Sequence, residues 1–384
     1  MFLTHRDARD KREWSGTFYS MAGSLSRHSG EVVFAGPYYP KMIFFFLKAV
    51  NKISYLLLKK KYRITYSSLL SWAYNRHFAR IIEKENPDIV FAPSSSGEIS
   101  RLKTHKPLVF LGDATFNLLV DKYPNYSNLL TFSMREAHAN ENRAFKNADA
   151  LVFSSEWAAR SAVEDYNVPS EKVHIISYGA NMGKVPPKEQ VLKKNLHDPL
   201  HLLFLGVDWE RKGGAKVFEA FKELMDMGIN TRLTVCGCVP PERFRDPAMQ
   251  IIPFLDKNNE KDADALYQLL LDANFLFIPS KADCTPIVFC EANAFGIPVI
   301  TTDVGGIPSV ISDGENGHIF PLETPAKKYA EKIARYHSNP NEYSKLVKSS
   351  WEYYEKNLNW DQWGLKMNEV FNKLIQDREN LKTR

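Results

Sequence analysis

One feature constrains this chain more than any other: short apolar runs alternate with helix-length segments along almost all of its 384 residues. In the first half the runs are EVVFAGP (31–37), DIVFAP (88–93), PLVFLGD (107–113), DALVFSS (149–155) and VHIISYG (173–179). A polar segment with several Lys and Pro follows at 183–199, and the pattern resumes. The later runs are HLLFLGVD (201–208), RLTVCG (232–237), QIIPFL (250–255), FLFIPS (275–280), PVITTD (298–303) and GHIF (317–320). Continuous apolar runs, as opposed to strictly alternating ones, mark strands covered on both faces. Such strands are parallel and joined by crossover helices. The pattern occurs twice, and the chain is too long for one ordinary core. The expected fold class is therefore α/β, with two doubly wound Rossmann-like domains facing across a cleft. Residues 1–183 form the first, 184–358 the second, and 359–384 hold a final amphipathic helix containing WDQWGLKMNEVFNKLI.

Ligands of such sheets bind outside the carboxyl ends of the strands, so the segments after FLFIPS and HLLFLGVD carry the most information. The first reads DCTPIVFCEANAFGIPVITTDVGG, from Asp283 to Gly306. Thr285 is a good N-cap residue, Pro286 suits the first helical position, and Gly296 stops the helix. Asp283 then lies in the loop and Glu291 on the helix, with the free amides of Ile287 and Val288 at its mouth. A helix start after a parallel strand is an anion site, because unused donors and the positive dipole end coincide there. A phosphate at that mouth places an attached ribose near Glu291 and the next group near Asp283. The second segment carries Arg211, Lys212, Gly213 and Gly214 before another helix. Arg offers a planar fork to phosphate oxygens, Lys a compact charge, and the glycines let the backbone approach. It is neither a P-loop nor a Gly-x-Gly-x-x-Gly fingerprint, which argues against a nicotinamide dehydrogenase.

Composition adds exclusions. Four cysteines (Cys236, Cys238, Cys284, Cys290) in a chain this long suit a reducing compartment more than a disulfide frame. Cys236-Gly-Cys238 lacks a second ligand pair, so no metal site is expected. The start is charged from His5 on, without a signal-peptide core, and no run is long and apolar enough to span a bilayer. Residues 1–183 hold 24 basic against 17 acidic side chains, and 184–384 hold 26 against 28. No acid occurs between Glu31 and Glu83, yet Lys41, Lys48, Lys52, Lys59, Lys60, Lys61 and Arg63 fall there, interleaved with MIFFFL and ISYLLL. That reads either as a basic amphipathic surface at residues 41–63 for an anionic membrane or as ordinary packed helices with a solvated basic face. No nucleic-acid-binding module accompanies the basic residues.

With these residues in view, the chain resembles the retaining glycosyltransferases of family four, which have the GT-B architecture. DCTPIVFCEANAFGIPVITTDVGG is similar to that family's Glu-x7-Glu signature with Asp283 replacing the first Glu, and ERKGG to its Arg–Lys diphosphate clamp. WSGTFYSMAGSL resembles the glycine loop after the first strand, with Gly16 and Thr17 facing the donor. ENRAFKNADALVFSSEW and EKVHIISYGAN resemble its passage into the linker, with Asn181 where Asp is common. Residues 38–82 match nothing recognisable, as befits an acceptor-binding region.

The resemblance implies a hexosyl transfer from a nucleotide sugar to a glycan or lipid-linked acceptor, in cell-envelope polysaccharide or glycolipid synthesis. Arg211 and Lys212 would neutralise the leaving diphosphate, Glu291 would hold the ribose, and Asp283 the donor sugar. Ile287 and Val288 amides would touch sugar or phosphate, and the base would stack near Cys236–Pro240 and Pro253–Leu255. Neither cofactor nor metal is implied. The final helix would cross back to the first domain, and the protein would be cytoplasmic, either free or peripheral on the inner membrane face. Cys284 and Thr285 replace a common Gly-Phe, leaving the sugar open. Asp113 stands where many relatives have a His near the reacting carbon; it either takes that role or caps the helix that begins ATFNLL, and His138 is the alternative. Competing readings are a non-catalytic nucleotide-sugar binder and, on the same fold, an epimerase or phosphorylase.

Overall fold

A computed structural model describes residues 1–196 and 198–382, and among these ten strands form two separate, wholly parallel sheets. The chain divides into two units, one of Met1–Ile176 with the chain from Trp363 onward, the other Ser177–Gln362. Both units are α/β and Rossmann-like.

In the first unit the strands β1 (Val90–Pro93), β2 (Leu108–Gly112), β3 (Ala150–Phe153) and β4 (Val173–Ile175) lie side by side in sequence order. Two further segments extend the sheet beyond β1. Phe2 pairs in parallel with both Phe91 and Phe34, with Leu3 N–H donating to Phe91 O (2.8 Å) and Ala35 N–H to Phe2 O (3.0 Å). This corrects the sequence reading. The run at 31–37 forms only a bridge at Phe34, and the residues that join it to the sheet are the first three of the chain. Three apolar residues before a charged run are too short to show as a strand in the sequence. The core of this unit gathers Leu70, Phe78, Val90, Phe110, Leu151 and Phe153. Helix Trp360–Lys382 adds Trp363 and Phe371, whose rings meet Phe91 at 6.0 and 5.9 Å. Farther along, Arg378 pairs with Asp149 at 3.0 Å.

The second unit has six strands: β5 (Leu200–Leu205), β6 (Thr231–Cys236), β7 (Met249–Ile252), β8 (Phe275–Ile278), β9 (Val299–Thr302) and β10 (Gly317–Phe320). Their order across the sheet is β10-β9-β8-β5-β6-β7. The chain thus builds outward from β5 in one direction through β6 and β7, then returns to build the other way from β8. Between β5 and β8 lies the topological switch point, where loops leaving neighbouring strands part and open a crevice. Both faces are covered: one cluster includes Leu202, Phe204, Phe221 and Phe275, the other Leu203, Leu276, Phe289 and Val299. Burial on both faces is why these strands read as unbroken apolar runs.

Candidate functional site

The loop after β5 and the loop after β8 meet at this switch point, and the backbone explains how closely. Gly213 has φ +76°, and a Cβ there would sit 2.1 Å from the Pro279 carbonyl oxygen. Only glycine lets the β5 loop lie against the end of β8 in that conformation. The same holds on the other flank, where Gly305 (φ +59°) would place a Cβ 2.0 Å from Asp283 O. The second glycine of VGG, Gly306, donates its N–H to that same oxygen at 3.2 Å. Asp208 braces the loop from within: its Oδ1 accepts the Arg211 N–H at 3.0 Å.

Three of the expected side chains converge there. Lys212 Nζ lies 2.5 Å from Asp283 Oδ2, and both residues are buried. Ser280 Oγ donates to the same Oδ2 at 3.0 Å. Arg211 donates from one terminal nitrogen to Ala282 O (2.8 Å), and that nitrogen is 3.8 Å from Asp283 Oδ2. Asp283 thus faces two cations, and Arg211 is also paired with Asp208 Oδ2 at 3.5 Å, all beside a helix start. The helix itself spans Ile287–Ala294, with Pro286 at the N-cap and no side-chain capping bond. Here the sequence reading is corrected: Thr285 is not the cap and Pro286 is not the first helical residue, because Pro286 has extended geometry (ψ 105°). Ile287 and Val288 are the first two helical residues, so the helix leaves their amides unused. Cys284 and Thr285 are buried in the connecting turn.

Glu291 is fully buried one turn further in. Its Oε1 meets Lys257 Nζ at 2.5 Å, while Oε2, equally buried, has no hydrogen-bond partner among the described residues. Lys257 also reaches Asn181 O at 3.4 Å, and Asn181 Oδ1 accepts from the Trp360 indole at 3.1 Å. Lys257 is a component the sequence reading missed. It stands in a polar loop after β7, among residues with no periodicity to single it out. At the neighbouring strand ends Val239 and Phe254 are exposed. Burial pushes the thiols of Cys236 and Cys238 up to about 11, so they stay protonated small side chains.

The first-unit candidates lie in a different setting. Gly16, at φ 88°, is the N-cap of helix Thr17–His28, and both Gly16 and Thr17 are buried. Asp113 follows directly on β2. It lies two residues before Thr115, the N-cap residue of the next helix, Phe116–Leu119. His138, on helix Thr131–Asn147, packs edge-on against Phe116 (5.0 Å) and lies 3.3 Å from the Tyr166 hydroxyl. Burial lowers its pKa, which keeps the ring neutral.

The sequence profile described as Glycosyltransferase Family 4 matches residues 17–184, and that described as Glycosyl transferases group 1 matches 187–352. The chain belongs to the group 1 glycosyltransferases of family 4. D-inositol 3-phosphate glycosyltransferase from Corynebacterium efficiens is 27% identical over 205 residues, 48% of each protein. The chain spans about half the length of the curated relatives it matches. Among solved structures, sucrose-phosphate synthase from Thermosynechococcus elongatus superposes with a TM-score of 0.67 at 17% identity, covering 98% of both chains. Anabaena Alr3699/HepE in complex with UDP-glucose gives 0.55 at 14% identity, over 77% of this chain and 81% of that one. These likenesses establish the GT-B fold.

Proposed function

We propose that the chain is a retaining glycosyltransferase whose second unit holds a nucleoside diphosphate sugar at the β5–β8 switch point. The observation that carries this reading is the convergence of Arg211, Lys212 and Asp283 beside a helix start. The ionic pairs there are replaceable: a diphosphate between the Ile287 and Val288 amides and the two cations takes over the neutralising role of Asp283. That frees the Asp283 carboxylate to accept from sugar hydroxyls. The unpartnered Oε2 of Glu291 suits a ribose hydroxyl, because a buried carboxylate oxygen without a donor is costly. Val239 and Phe254 offer apolar surface to the base. The nucleotide sugar in the HepE complex supports the same donor class.

During transfer the bond from the anomeric carbon to phosphate breaks, the acceptor oxygen bonds to the same face, and its proton passes to the departing phosphate. The dominant demand is charge on the leaving diphosphate, which Arg211 and Lys212 meet without a divalent metal. Gly16, Thr17 and Asp113 remain proposed donor and acceptor contacts on resemblance alone. We further propose that helix Lys41–Leu58 rests on an anionic membrane. It packs on its own unit through Ile43, Leu47 and Val50, and leaves Phe45 78% and Leu57 76% exposed with Met42, Phe46 and Leu56. Such a surface suits a lipid-linked acceptor, and the resemblance supplies the glycan alternative.

The test is transfer from UDP-, GDP- and ADP-sugars, with nucleotide release measured alongside. One donor is expected to turn over, with the anomeric configuration kept in the product by NMR, an unchanged rate in EDTA, and loss in Arg211→Ala. Donor binding with neither transfer nor hydrolysis would favour the non-catalytic binder.

A further inference from the structure

Glu291 and Lys257 meet in the second unit, and each keeps one bonding position open. Glu291 is buried on helix Ile287–Ala294, with Oε1 on the Lys257 ammonium and Oε2 unpartnered among the described residues. A carboxylate only accepts, and an ammonium only donates, through three hydrogens. Lys257 gives one hydrogen to Glu291 Oε1 and one to Asn181 O (3.4 Å). Its side chain is 27% exposed, which leaves the third hydrogen open to a ligand.

The lysine is held from two sides. Its loop runs from β7 into helix Glu260–Asp272, and the start of that helix is well bonded. Asn259 Oδ1 accepts the N–H groups of Lys261 (3.0 Å) and Asp262 (3.3 Å), and Asp262 Oδ2 accepts from Asp256 N–H (2.9 Å). On the other side, the Trp360 indole fixes Asn181 by donating to its Oδ1 at 3.1 Å. The turn before Asn181 packs on the same ring: a Cβ at Gly179 would stand 2.7 Å from Trp360 Cγ, and Ala180 N–H donates to Leu358 O (3.0 Å). All of these residues belong to the second unit.

We propose that Lys257 is a specificity-determining residue that reads the donor ribose together with Glu291. One ribose hydroxyl donates to Glu291 Oε2. The oxygen of its neighbour accepts the third hydrogen of Lys257, whose ammonium stays on Oε1. A vicinal diol fits this pair because each hydroxyl can donate or accept. A carboxylate alone would take both hydroxyls; here the ammonium covers Oε1 and divides the reading between two side chains. The donor class is then a ribonucleoside diphosphate sugar and not a deoxyribonucleoside one, because a site built to bond a hydroxyl is left with an unpaired polar group when it is missing. The inference rests on the donor reading above and adds Lys257 and the class of nucleotide to it.

Calorimetric titration of the full chain with UDP, GDP and ADP identifies the preferred base, and the 2′-deoxy and 3′-deoxy forms of that diphosphate test the proposal. Each missing hydroxyl should weaken binding by roughly tenfold or more. In Lys257→Met one of the two penalties should shrink to below about threefold while the other stays, because only one hydroxyl has lost its partner. Lys257→Arg, which keeps the charge and the donors, should recover it. The ratio of ribo to deoxy affinity is taken within each variant, so a general loss from stranding Glu291 cancels. Deoxy forms that bind the parent as well as the ribonucleotide does, or penalties unchanged in Lys257→Met, overturn the proposal and leave the diphosphate clamp standing. Loss of both penalties together also overturns it, since Lys257 would then act only by aligning Glu291. No binding of any of the three diphosphates sinks the donor reading itself and this inference with it.

Discussion

At the scale of single residues, Lys212 carries the sharpest expectation. It is buried against Asp283 at 2.5 Å, so its removal strands a carboxylate that keeps only Ser280 and the more distant Arg211. Lys212→Ala should therefore lower transfer by roughly a hundredfold or more, about 3 kcal/mol of transition-state stabilisation. It should also lower folding stability, because a buried ion has lost its partner. Combining Lys212→Met with Asp283→Asn should restore much of the melting temperature and none of the turnover; recovery of turnover would remove Lys212 from the leaving-group role. Glu291→Ala should abolish donor-dependent stabilisation to a similar degree. Of this site, the parts on one local segment were legible in the sequence. Asp283 and Glu291 share a loop and helix, and Arg211 with Lys212 follows a strand end. Lys257 was not legible: it meets Glu291 from 34 residues away, and only the approach of the loop after β7 to the helix after β8 brings them together.

At the scale of elements, the fold was readable wherever burial acts on both faces of a strand. It failed where pairing replaces burial as the cause. The first strand is three residues joined by bridges at Phe2, and its partner at Phe34 is no longer. The helix after β8 starts one residue later than its sequence suggests, because Pro286 prefers the extended backbone before a helix. A helix end shows the opposite case, in which a distant side chain does the capping. Lys194 Nζ, buried, donates to Leu271 O (2.5 Å), Ala273 O (2.9 Å) and Leu270 O (3.3 Å) at the end of helix Glu260–Asp272. Three acceptors need the three hydrogens of an ammonium, although burial pulls its pKa down to about 7. Lys194→Met should expose three unsatisfied carbonyls and cost about 2 kcal/mol or more, read as a lower melting temperature; an unchanged one would mean that the helix end is satisfied otherwise. Because the unfolded chain takes up this proton below pH 10.5 and the folded one only below about 7, the lysine's share of stability falls as pH drops from 10.5 to about 7, so the deficit of the variant should narrow over that range and stay level below it. Helix Lys41–Leu58 behaves differently. Phe45 and Leu57 on its outer face are 78% and 76% exposed, so Phe45→Ser with Leu57→Ser should leave stability within about 0.5 kcal/mol. The same pair, like neutralised Lys59, Lys60 and Lys61, should reduce flotation with anionic vesicles, each lysine being worth ~1 kcal/mol there. Equal flotation would make the helix an ordinary surface element.

At the scale of the whole molecule, two units with separate cores need not unfold in one step, and each carries a handle that the other lacks. The second unit has the proposed donor site; a ligand bound only to its native state raises its transition by about 2.7 kcal/mol at a hundred times Kd. The first unit has Glu141, fully buried, whose Oε2 accepts the Phe116 N–H at 2.6 Å. Burial raises its pKa from 4.5 to about 7. The folded unit therefore binds this proton more tightly than the unfolded chain. The stability it contributes is complete below pH 4.5 and is lost as pH rises through about 7. Glu141→Gln carries no titrating proton, so relative to the parent it should gain up to roughly 3 kcal/mol between pH 5 and pH 8. His138 titrates in the same unit with the opposite sign, its pKa being lowered by burial, which is why the difference between parent and variant, and not either curve alone, is the quantity to measure. Calorimetry of the full chain across that range, with and without the nucleotide sugar that turns over, should move the two handles separately. The Glu141 difference should follow pH in one transition, and the ligand should raise the other. A single transition that answers to both handles would mean that the units unfold together and that each stabilises its neighbour. A pH-independent difference would mean that Glu141 stays ionised when folded, held by Phe116 and Tyr166 against the cost of burial.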